Sequence, residues 1–315
     1  MKKYLLPAVL FFSLFASRCA FGWGNAGHET VGNLAAYYLK GTHAEAEVNK
    51  LLKPNETLAK ACTWADRAKL PDKYLSAEMK DYVAHNPQHH QFHYCDVPFQ
   101  EKTYHEGGTG TNPDDIVHTM QLCIKILSGQ NPPNPHLFSR RVALLVLVHL
   151  AGDIHQPLHV GCSYMGANDK FVDPDKGEHG EADAGANHFN INASTSLHGY
   201  WDTVAVKKVR DKAKGTDLAQ YLAAQTPRSD WKASGSPATW PVQWANDTLK
   251  YSGQCFSGVQ ISDRVEVPAD ETHPAHHEWH ATLPSNYAQQ ASATAEVQLA
   301  KGGYRLAELL KAIWP

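Results

Sequence analysis

The sequence is poor in cysteine and has no excess of basic residues, and each shortage excludes a class of protein. Six Cys in 315 residues are too few for a small fold held together by disulfide bonds. Lys and Arg number 29 against 32 Asp and Glu, so the net charge of −3 predicts no extended basic surface. No linker, internal repeat or low-complexity tract divides the chain. This length and a hydrophobic fraction of 43% suit one globular domain.

Long apolar runs are also lacking, except for a short one near the N-terminus. Residues 5–16 are apolar, too few to span a bilayer, and follow a pair of lysines. Residues 20–22 have the small-x-small pattern that signal peptidase cleaves. We therefore expect residues 1–22 to be a signal peptide and residues 23–315 to be a secreted or periplasmic domain with a net charge of −6.

Five cysteines would remain after cleavage, in a compartment where disulfides can form. We therefore expect disulfide bonds, with at least one thiol unpaired because the number is odd. None of these cysteines has the C-x-x-C spacing of a thiolate zinc site. The five are Cys62, Cys95, Cys123, Cys162 and Cys255.

The hydrophobic pattern lacks strand alternation and predicts an all-α fold in a single, mostly helical domain. The predicted helix 142–156 begins apolar on all sides, so it should be central and buried. Loops are predicted at 98–112, 161–187 and 226–241. The other helices are predicted at 32–39, 113–127, 217–225, 285–300 and 304–313.

The predicted central helix carries polar groups that a core helix rarely holds. His149 and Asp153 are four residues apart and therefore share one face. Burying both is costly unless they hydrogen-bond to each other or bind a metal. A hydrogen-bonded core pair would explain these two residues alone. Because His155 and His159 follow immediately, the whole run favours a metal site.

A second His-x-x-x-Asp pair, His198 and Asp202, repeats this spacing and indicates a multinuclear site. Nitrogen and oxygen ligands without thiolates suit zinc, with manganese or iron as alternatives. Asp66, His93 and His28 are weaker candidates when taken singly, because a surface Asp or a partly buried His is common.

Together and in this order, these motifs resemble the zinc-dependent single-strand nucleases of the S1/P1 family, within the phospholipase C/P1 nuclease superfamily. The resemblance covers essentially the whole of 23–315 and implies that superfamily's mostly helical fold. It rests on Trp23-Gly24-Asn25-Ala26-Gly27-His28, Trp64-Ala65-Asp66, Phe92-His93-Tyr94, the run from His149 to His159, and Leu197-His198-Gly199-Tyr200-Trp201-Asp202.

The resemblance implies three zinc ions and assigns a ligand set to each. The free amine and carbonyl of Trp23 are among these ligands, which couples metal assembly to signal-peptide cleavage because an amide nitrogen is not a zinc ligand. Three zinc ions would also offset the mature charge of −6. The implied sets are Asp66, His93, His149 and Asp153 for the first ion; His159, His198 and Asp202 for the second; and Trp23, His28 and a bridging Asp153 for the third.

The implied activity is hydrolysis of phosphodiester bonds in single-stranded DNA and RNA to 5′-phosphorylated products. Asp66, Asp153 and Lys69 would be catalytic, with metal-activated water as the nucleophile. The DNA or RNA preference and 3′-nucleotidase activity stay open. We expect a monomer without stable membrane association that acts on nucleic acids and nucleotides.

Three further residues would bind substrate by the same resemblance. Tyr94 would stack on a base, which requires a single strand, and Asp96 would hydrogen-bond to that base. Asn187 ends an Ala-Gly-Ala-Asn run where the family often has Gly-Gly-Asn. The extra methyl of Ala186 is expected to affect substrate geometry more than zinc binding.

Two other functions fit parts of this pattern. A zinc phospholipase C has a similar three-zinc site, but usually a wider spacing between Trp23 and the first His, and a Glu where this chain has Asp202. A non-catalytic exported zinc-binding protein would explain the 19 His. Such proteins tend to place His in exposed clusters rather than on an apolar helix.

Overall fold

The computed structural model describes residues 23–225, 227–270 and 274–315. The predicted signal peptide 1–22 lies outside these ranges and stays a prediction. Within them, no helix is both long enough and apolar enough to cross a membrane.

A buried central helix organises the fold, as the sequence predicts. This helix, α7, begins at Arg140 after a cap in which the Ser139 hydroxyl accepts the Val142 N–H, and every residue from 143 to 153 is buried. It packs against α1, α6 and the C-terminal helix α12. The helices are α1 Gly24–Leu39, α2 His43–Leu51, α3 Leu58–Ala61, α4 Trp64–Arg67, α5 Ala77–His85, α6 Ile116–Leu127, α7 Arg140–Asp153, α8 Leu197–Gly199, α9 Val206–Lys212, α10 Leu218–Ala223, α11 Trp240–Phe256 and α12 Tyr287–Ile313.

The all-α prediction is wrong in part, because small sheets accompany the helices. The predicted loop 161–187 contains four two-residue strands. Farther along the chain, the long antiparallel strands β8 and β9 form half of the four-stranded sheet β7-β6-β9-β8. The strands are β1 Val97–Pro98, β2 Gly161–Cys162, β3 Tyr164–Met165, β4 Phe171–Val172, β5 Glu181–Ala182, β6 Phe189–Asn192, β7 Thr195–Ser196, β8 Gln260–Val267 and β9 His276–Thr282.

The C-terminal helix is continuous where the sequence predicts two helices. Residues Gly302 and Gly303 lie inside α12 and do not break it. A Cβ at Gly303 would lie 2.6 Å from the side chain of Leu34 on α1, so this glycine allows the two helices to approach closely. The Gly302-Gly303 pair looks like a helix end in the sequence, but close packing of α12 against α1 accounts for it.

The expected disulfides are absent from the described residues, where all five cysteines are buried free thiols. Two of the thiols instead hydrogen-bond to buried groups that are distant in the sequence. Cys162 Sγ donates to Asp183 Oδ1 at 3.0 Å, and Cys95 Sγ donates to the Val160 carbonyl at 3.5 Å. The odd number of cysteines required only one free thiol. In the described residues all five are instead small, buried side chains of the core.

Candidate metal centre

The candidate site forms around the C-terminal end of α7, where His149 and Asp153 share one face. His149 Nε2 lies 3.0 Å from Asp153 Oδ2, and both side chains are fully buried. The imidazole of His28, from α1, stacks on His149 with ring centroids 4.0 Å apart. This approach requires a glycine at position 152, since a Cβ there would lie 2.7 Å from His28 Nδ1.

Three more contacts bring distant residues onto Asp153 and its neighbours. His28 Nε2 lies 3.1 Å from Asp153 Oδ1, and His93 Nδ1 lies 3.0 Å from Asp153 Oδ2. Asp66, on the short helix α4, places Oδ1 3.5 Å from His149 Nε2. Two overlapping groups result, in each of which the ligand atoms lie within 4.8 Å of one another. They are His28, His149 and Asp153, and Asp66, His93 and His149.

A third group consists of His159, His198 and Asp202, whose ligand atoms also lie within 4.8 Å of one another. His198 Nε2 is 3.3 Å from Asp202 Oδ2, and the other oxygen, Asp202 Oδ1, accepts a hydrogen bond from Gln156 Nε2 at 2.9 Å. Asp202 lies in a π-helical stretch, Tyr200–Ala205, that interrupts the helix between α8 and α9. Such stretches occur frequently at functional sites.

Backbone carbonyls fix the tautomers in this third group. His159 Nδ1 donates to the His93 carbonyl at 2.8 Å, and His198 Nδ1 donates to the Gly185 carbonyl at 2.7 Å. In the neutral rings both Nε2 atoms therefore carry lone pairs, yet they lie 3.1 Å apart. Burial lowers the pKa of both rings, that of His198 to about 3, so protonation does not relieve the contact. Two facing lone pairs and a carboxylate make a site for a cation.

The first two groups concentrate negative charge in the core. His149 Nδ1 donates to the Cys62 carbonyl at 2.6 Å, which directs its Nε2 at the carboxylates of Asp66 and Asp153. Asp66 Oδ2 and His28 Nδ1 are buried without a hydrogen-bond partner in the part of the chain that the structure describes, and Asp153 Oδ1 faces only the imidazole nitrogen of His28 at 3.1 Å and that of His159 at 3.9 Å. Buried polar groups are rarely left unpaired, so these atoms also indicate bound cations.

The start of α1 lies against the helix that carries Asp202. Trp23 is fully buried, and a Cβ at Gly24 would lie 3.0 Å from the Asp202 carbonyl oxygen. The Trp23 carbonyl accepts the Gly27 N–H at 3.2 Å. Trp23, the N-terminal residue of the predicted mature chain, is thus close to the group formed by His159, His198 and Asp202. That its amine binds a metal stays a prediction.

Comparison with known proteins agrees with this arrangement. A family model described as S1/P1 Nuclease matches residues 23–315. The chain belongs to the S1/P1 nuclease family. It is 26% identical to Endonuclease 4 of Arabidopsis thaliana over 93% of this chain and 89% of that protein. It is 25% identical to Nuclease S1 of Aspergillus oryzae, over 96% and 95%, and 28% identical to Endonuclease 2 of Arabidopsis thaliana, over 96% and 93%. Family membership supports hydrolysis of phosphodiester bonds.

In this S1/P1 nuclease family member, Lys69 lies beside the two groups that share His149. Its Nζ lies 2.9 Å from Asp66 Oδ1, and the side chain is 4% exposed. Burial alone would raise the pKa of Asp66, but Lys69 and the nearby histidines lower it overall. Asp66 is therefore ionised, as a metal ligand must be.

Tyr94 and Asp96 follow His93 and are both partly exposed. Burial, followed by the charge of Asp96, raises the pKa of Tyr94 to about 12. Burial and the neighbouring Asp183 raise the pKa of Asp96 to about 7. A carboxyl group that is partly protonated near neutral pH can donate as well as accept hydrogen bonds. Their contact with substrate stays a prediction.

Three successive residues of the loop before His198 have a left-handed backbone conformation, which glycine adopts more easily than alanine. Ala184, Gly185 and Ala186 have φ of 54°, 61° and 67°, all in the left-handed region. The cost of alanine at position 186 therefore comes from its backbone conformation as well as from its extra methyl group. Asn187 is partly exposed, and its Nδ2 donates to the Ala184 carbonyl at 2.7 Å.

Sequence reasoning missed two residues that orient this site. Gln156 donates to Asp202, and its position inside the 149–159 run could have indicated a role. Asp183 Oδ1 accepts the Ala186 N–H at 2.8 Å, and Asp183 Oδ2 accepts the Ser163 hydroxyl at 2.5 Å. It thereby holds the left-handed turn that carries the Gly185 carbonyl. No spacing motif marks Asp183, and backbone carbonyl partners leave no sequence signal.

Proposed function

We propose that this protein is an exported nuclease that binds three zinc ions and cleaves single-stranded DNA and RNA to 5′-phosphorylated products. The observation that carries the proposal is the contact between His159 Nε2 and His198 Nε2 at 3.1 Å, two lone pairs that need a shared cation. Membership of the S1/P1 nuclease family supports nucleic acid as the substrate.

The donor set fits zinc. Imidazole nitrogens and carboxylate oxygens without thiolates are typical of catalytic zinc sites, and each zinc-ligating His here is expected to be oriented by a second partner. The proposed sets are Asp66, His93, His149 and Asp153; His159, His198 and Asp202; and His28, Asp153 and the amine and carbonyl of Trp23. The last set requires a free Trp23 amine, so cleavage after residue 22 would complete it.

When bound, zinc supplies Lewis-acid activation of water and phosphate at neutral pH. The chain's own groups then position the reaction. Lys69 holds Asp66 Oδ1 at 2.9 Å and places its positive charge beside the proposed ligands of the first ion. Asp66 Oδ2, a buried acceptor without a hydrogen-bond partner among the described residues, can accept a proton from the attacking water.

Substrate binding would use the exposed edge of the same site. Tyr94 offers a partly exposed ring for stacking on a base, and Asp96 can hydrogen-bond to that base. Asn187 projects from the loop whose Gly185 carbonyl orients His198. Stacking needs an unpaired base, which would account for a preference for single strands.

Two measurements on the zinc-loaded protein separate this function from its alternatives. We expect release of 5′-mononucleotides from single-stranded DNA and RNA and no release of diacylglycerol from phosphatidylcholine. The opposite result would support a phospholipase C. Retention of three zinc ions without cleavage of any phosphoester would support a zinc-binding protein and contradict the proposed nuclease.

A further inference from the structure

Gln156 is a fully buried amide whose orientation is fixed by the groups around it. It lies three residues after Asp153, the last residue of α7, and three residues before His159. Its Oε1 accepts the backbone N–H of Leu158 at 2.6 Å. Because a backbone N–H cannot accept a hydrogen bond, the end of the amide that faces Leu158 must be the oxygen. The other end, Nε2, is therefore a donor, and it points at Asp202.

The donor end of this amide holds one of the two carboxylate oxygens of Asp202. Gln156 Nε2 donates to Asp202 Oδ1 at 2.9 Å, whereas Asp202 Oδ2 lies 3.3 Å from His198 Nε2. One oxygen therefore faces a protein donor, and the other faces the imidazole lone pair of a proposed ligand. Because the carboxylate is planar and buried, the hydrogen bond from Gln156 determines which oxygen is turned toward the proposed ion.

The backbone that carries Gln156 is itself held in place by side chains of α11. Thr248 Oγ1 donates to the Ile154 carbonyl at 2.7 Å, and Ser252 Oγ donates to the Pro157 carbonyl at 2.8 Å. Both hydroxyl side chains are fully buried. The chain is thus anchored on either side of Gln156, which is the support expected behind a residue that orients a metal ligand.

We propose that Gln156 is a positioning residue that restricts Asp202 to a single ligand oxygen, Oδ2, in the group formed by His159, His198 and Asp202. This leaves three protein ligands for a zinc ion, so that the fourth position of a tetrahedral site stays open for water or a substrate oxygen. A carboxylate that bound through both oxygens would compete for that position. The choice of zinc rests on the proposed function, whereas the orientation of Asp202 rests on the two hydrogen bonds of the amide.

The test compares zinc binding by Gln156→Met and Gln298→Met in the exported protein, because methionine has a similar shape but no N–H donor. We expect Gln156→Met to bind the ion of the His159, His198 and Asp202 group about 10- to 100-fold more weakly, with the other ions unaffected. Gln298 is also fully buried, but it donates to the His155 carbonyl and to Thr248 rather than to a proposed ligand. Gln298→Met is therefore the matched control and should keep the wild-type affinity. Chelator competition measures the affinity, and anomalous diffraction identifies which ion is lost.

A crystal structure of the zinc-loaded wild-type protein gives a second readout that needs no variant and no activity. We expect Asp202 to bind through Oδ2 alone, with Oδ1 still hydrogen-bonded to Gln156. Binding through both oxygens, or an unchanged zinc affinity in Gln156→Met, would overturn the role of Gln156 even if the wild-type protein is an active nuclease. If Gln156→Met loses this ion selectively but the wild-type protein cleaves no nucleic acid, the proposed function fails and the role of Gln156 stands.

Discussion

At the scale of single residues, the candidate metal centre depends on carboxylates that histidines and one lysine surround. Asp153 contacts His28, His93 and His149 at 3.0 to 3.1 Å and is the residue that joins two groups of ligands. Its pKa is well below the usual value despite burial, because histidines surround it. Removing its charge should therefore affect metal binding before it affects folding.

We expect Asp153→Asn to keep the fold but lose zinc, and to lower turnover of single-stranded DNA by roughly 100-fold or more, because an amide is a poor zinc ligand. Zinc content, hydrolysis and circular dichroism measure the three effects. Asp211→Asn, on the exposed side of α9, is the matched control and should behave like wild type. Near-normal turnover in Asp153→Asn would contradict the bridging role.

Away from the metal centre, His118 should make stability depend on pH. Its hydrogen bond to Asp115, at 3.0 Å, raises its pKa to about 8. The stabilisation is complete below the unfolded pKa near 6.5 and is lost as the pH rises through 8. After allowance for partial exposure we expect about 1 kcal/mol. Urea unfolding of His118→Gln should lack this loss, whereas the exposed control His85→Gln should retain it.

At the scale of secondary-structure elements, close packing sets the geometry of the site. The ring of His28 reaches α7 only because position 152 is glycine. Helix α4, the π-helical stretch Tyr200–Ala205 and the left-handed turn at 184–186 then bring in the remaining ligands. None of these three features has a strong periodic pattern in the sequence.

We expect Gly152→Ala to reduce zinc binding and activity, with little change in the stability of the metal-free protein. The new methyl would displace His28, while alanine improves helix propensity by about 1 kcal/mol and offsets the crowding. Gly253→Ala, inside α11, is the matched control, because its Cβ would make only ordinary contacts, the nearest at 3.6 Å from Phe99. Normal zinc content in Gly152→Ala would show that His28 is not a ligand.

The sequence therefore predicts some elements far better than others. Helix α7 and its His149 and Asp153 pair follow from composition and spacing, because burial and a period of four are local properties. The convergence of His28 and Asp66 on that pair was available only through family resemblance. The continuity of α12 through Gly303, the small sheets and the role of Asp183 depend on tertiary contacts that no local pattern records.

At the scale of the whole molecule, the proposed ligands lie on short segments that are spread along the chain from Trp23 to Asp202. A metal bound by all of them connects parts of the fold that are distant in sequence. Folding and metal binding should therefore be coupled, because the complete site does not exist in the unfolded chain.

Removing zinc should destabilise the whole protein. We expect chelation to lower Tm by roughly 10 °C or more, since each ion bound well above its Kd adds about 3 kcal/mol. Differential scanning calorimetry before and after EDTA measures this shift, and added zinc should restore it. An unchanged Tm after zinc loss, verified by elemental analysis, would show that the site contributes nothing to stability.

The most direct test of the account is anomalous X-ray diffraction at the zinc edge from crystals of the exported protein. We predict three peaks: one among Asp66, His93, His149 and Asp153, one among His159, His198 and Asp202, and one joining His28 and Asp153 to the free amine of Trp23. No peak at these residues, or zinc bound only elsewhere, would contradict the proposed trinuclear centre.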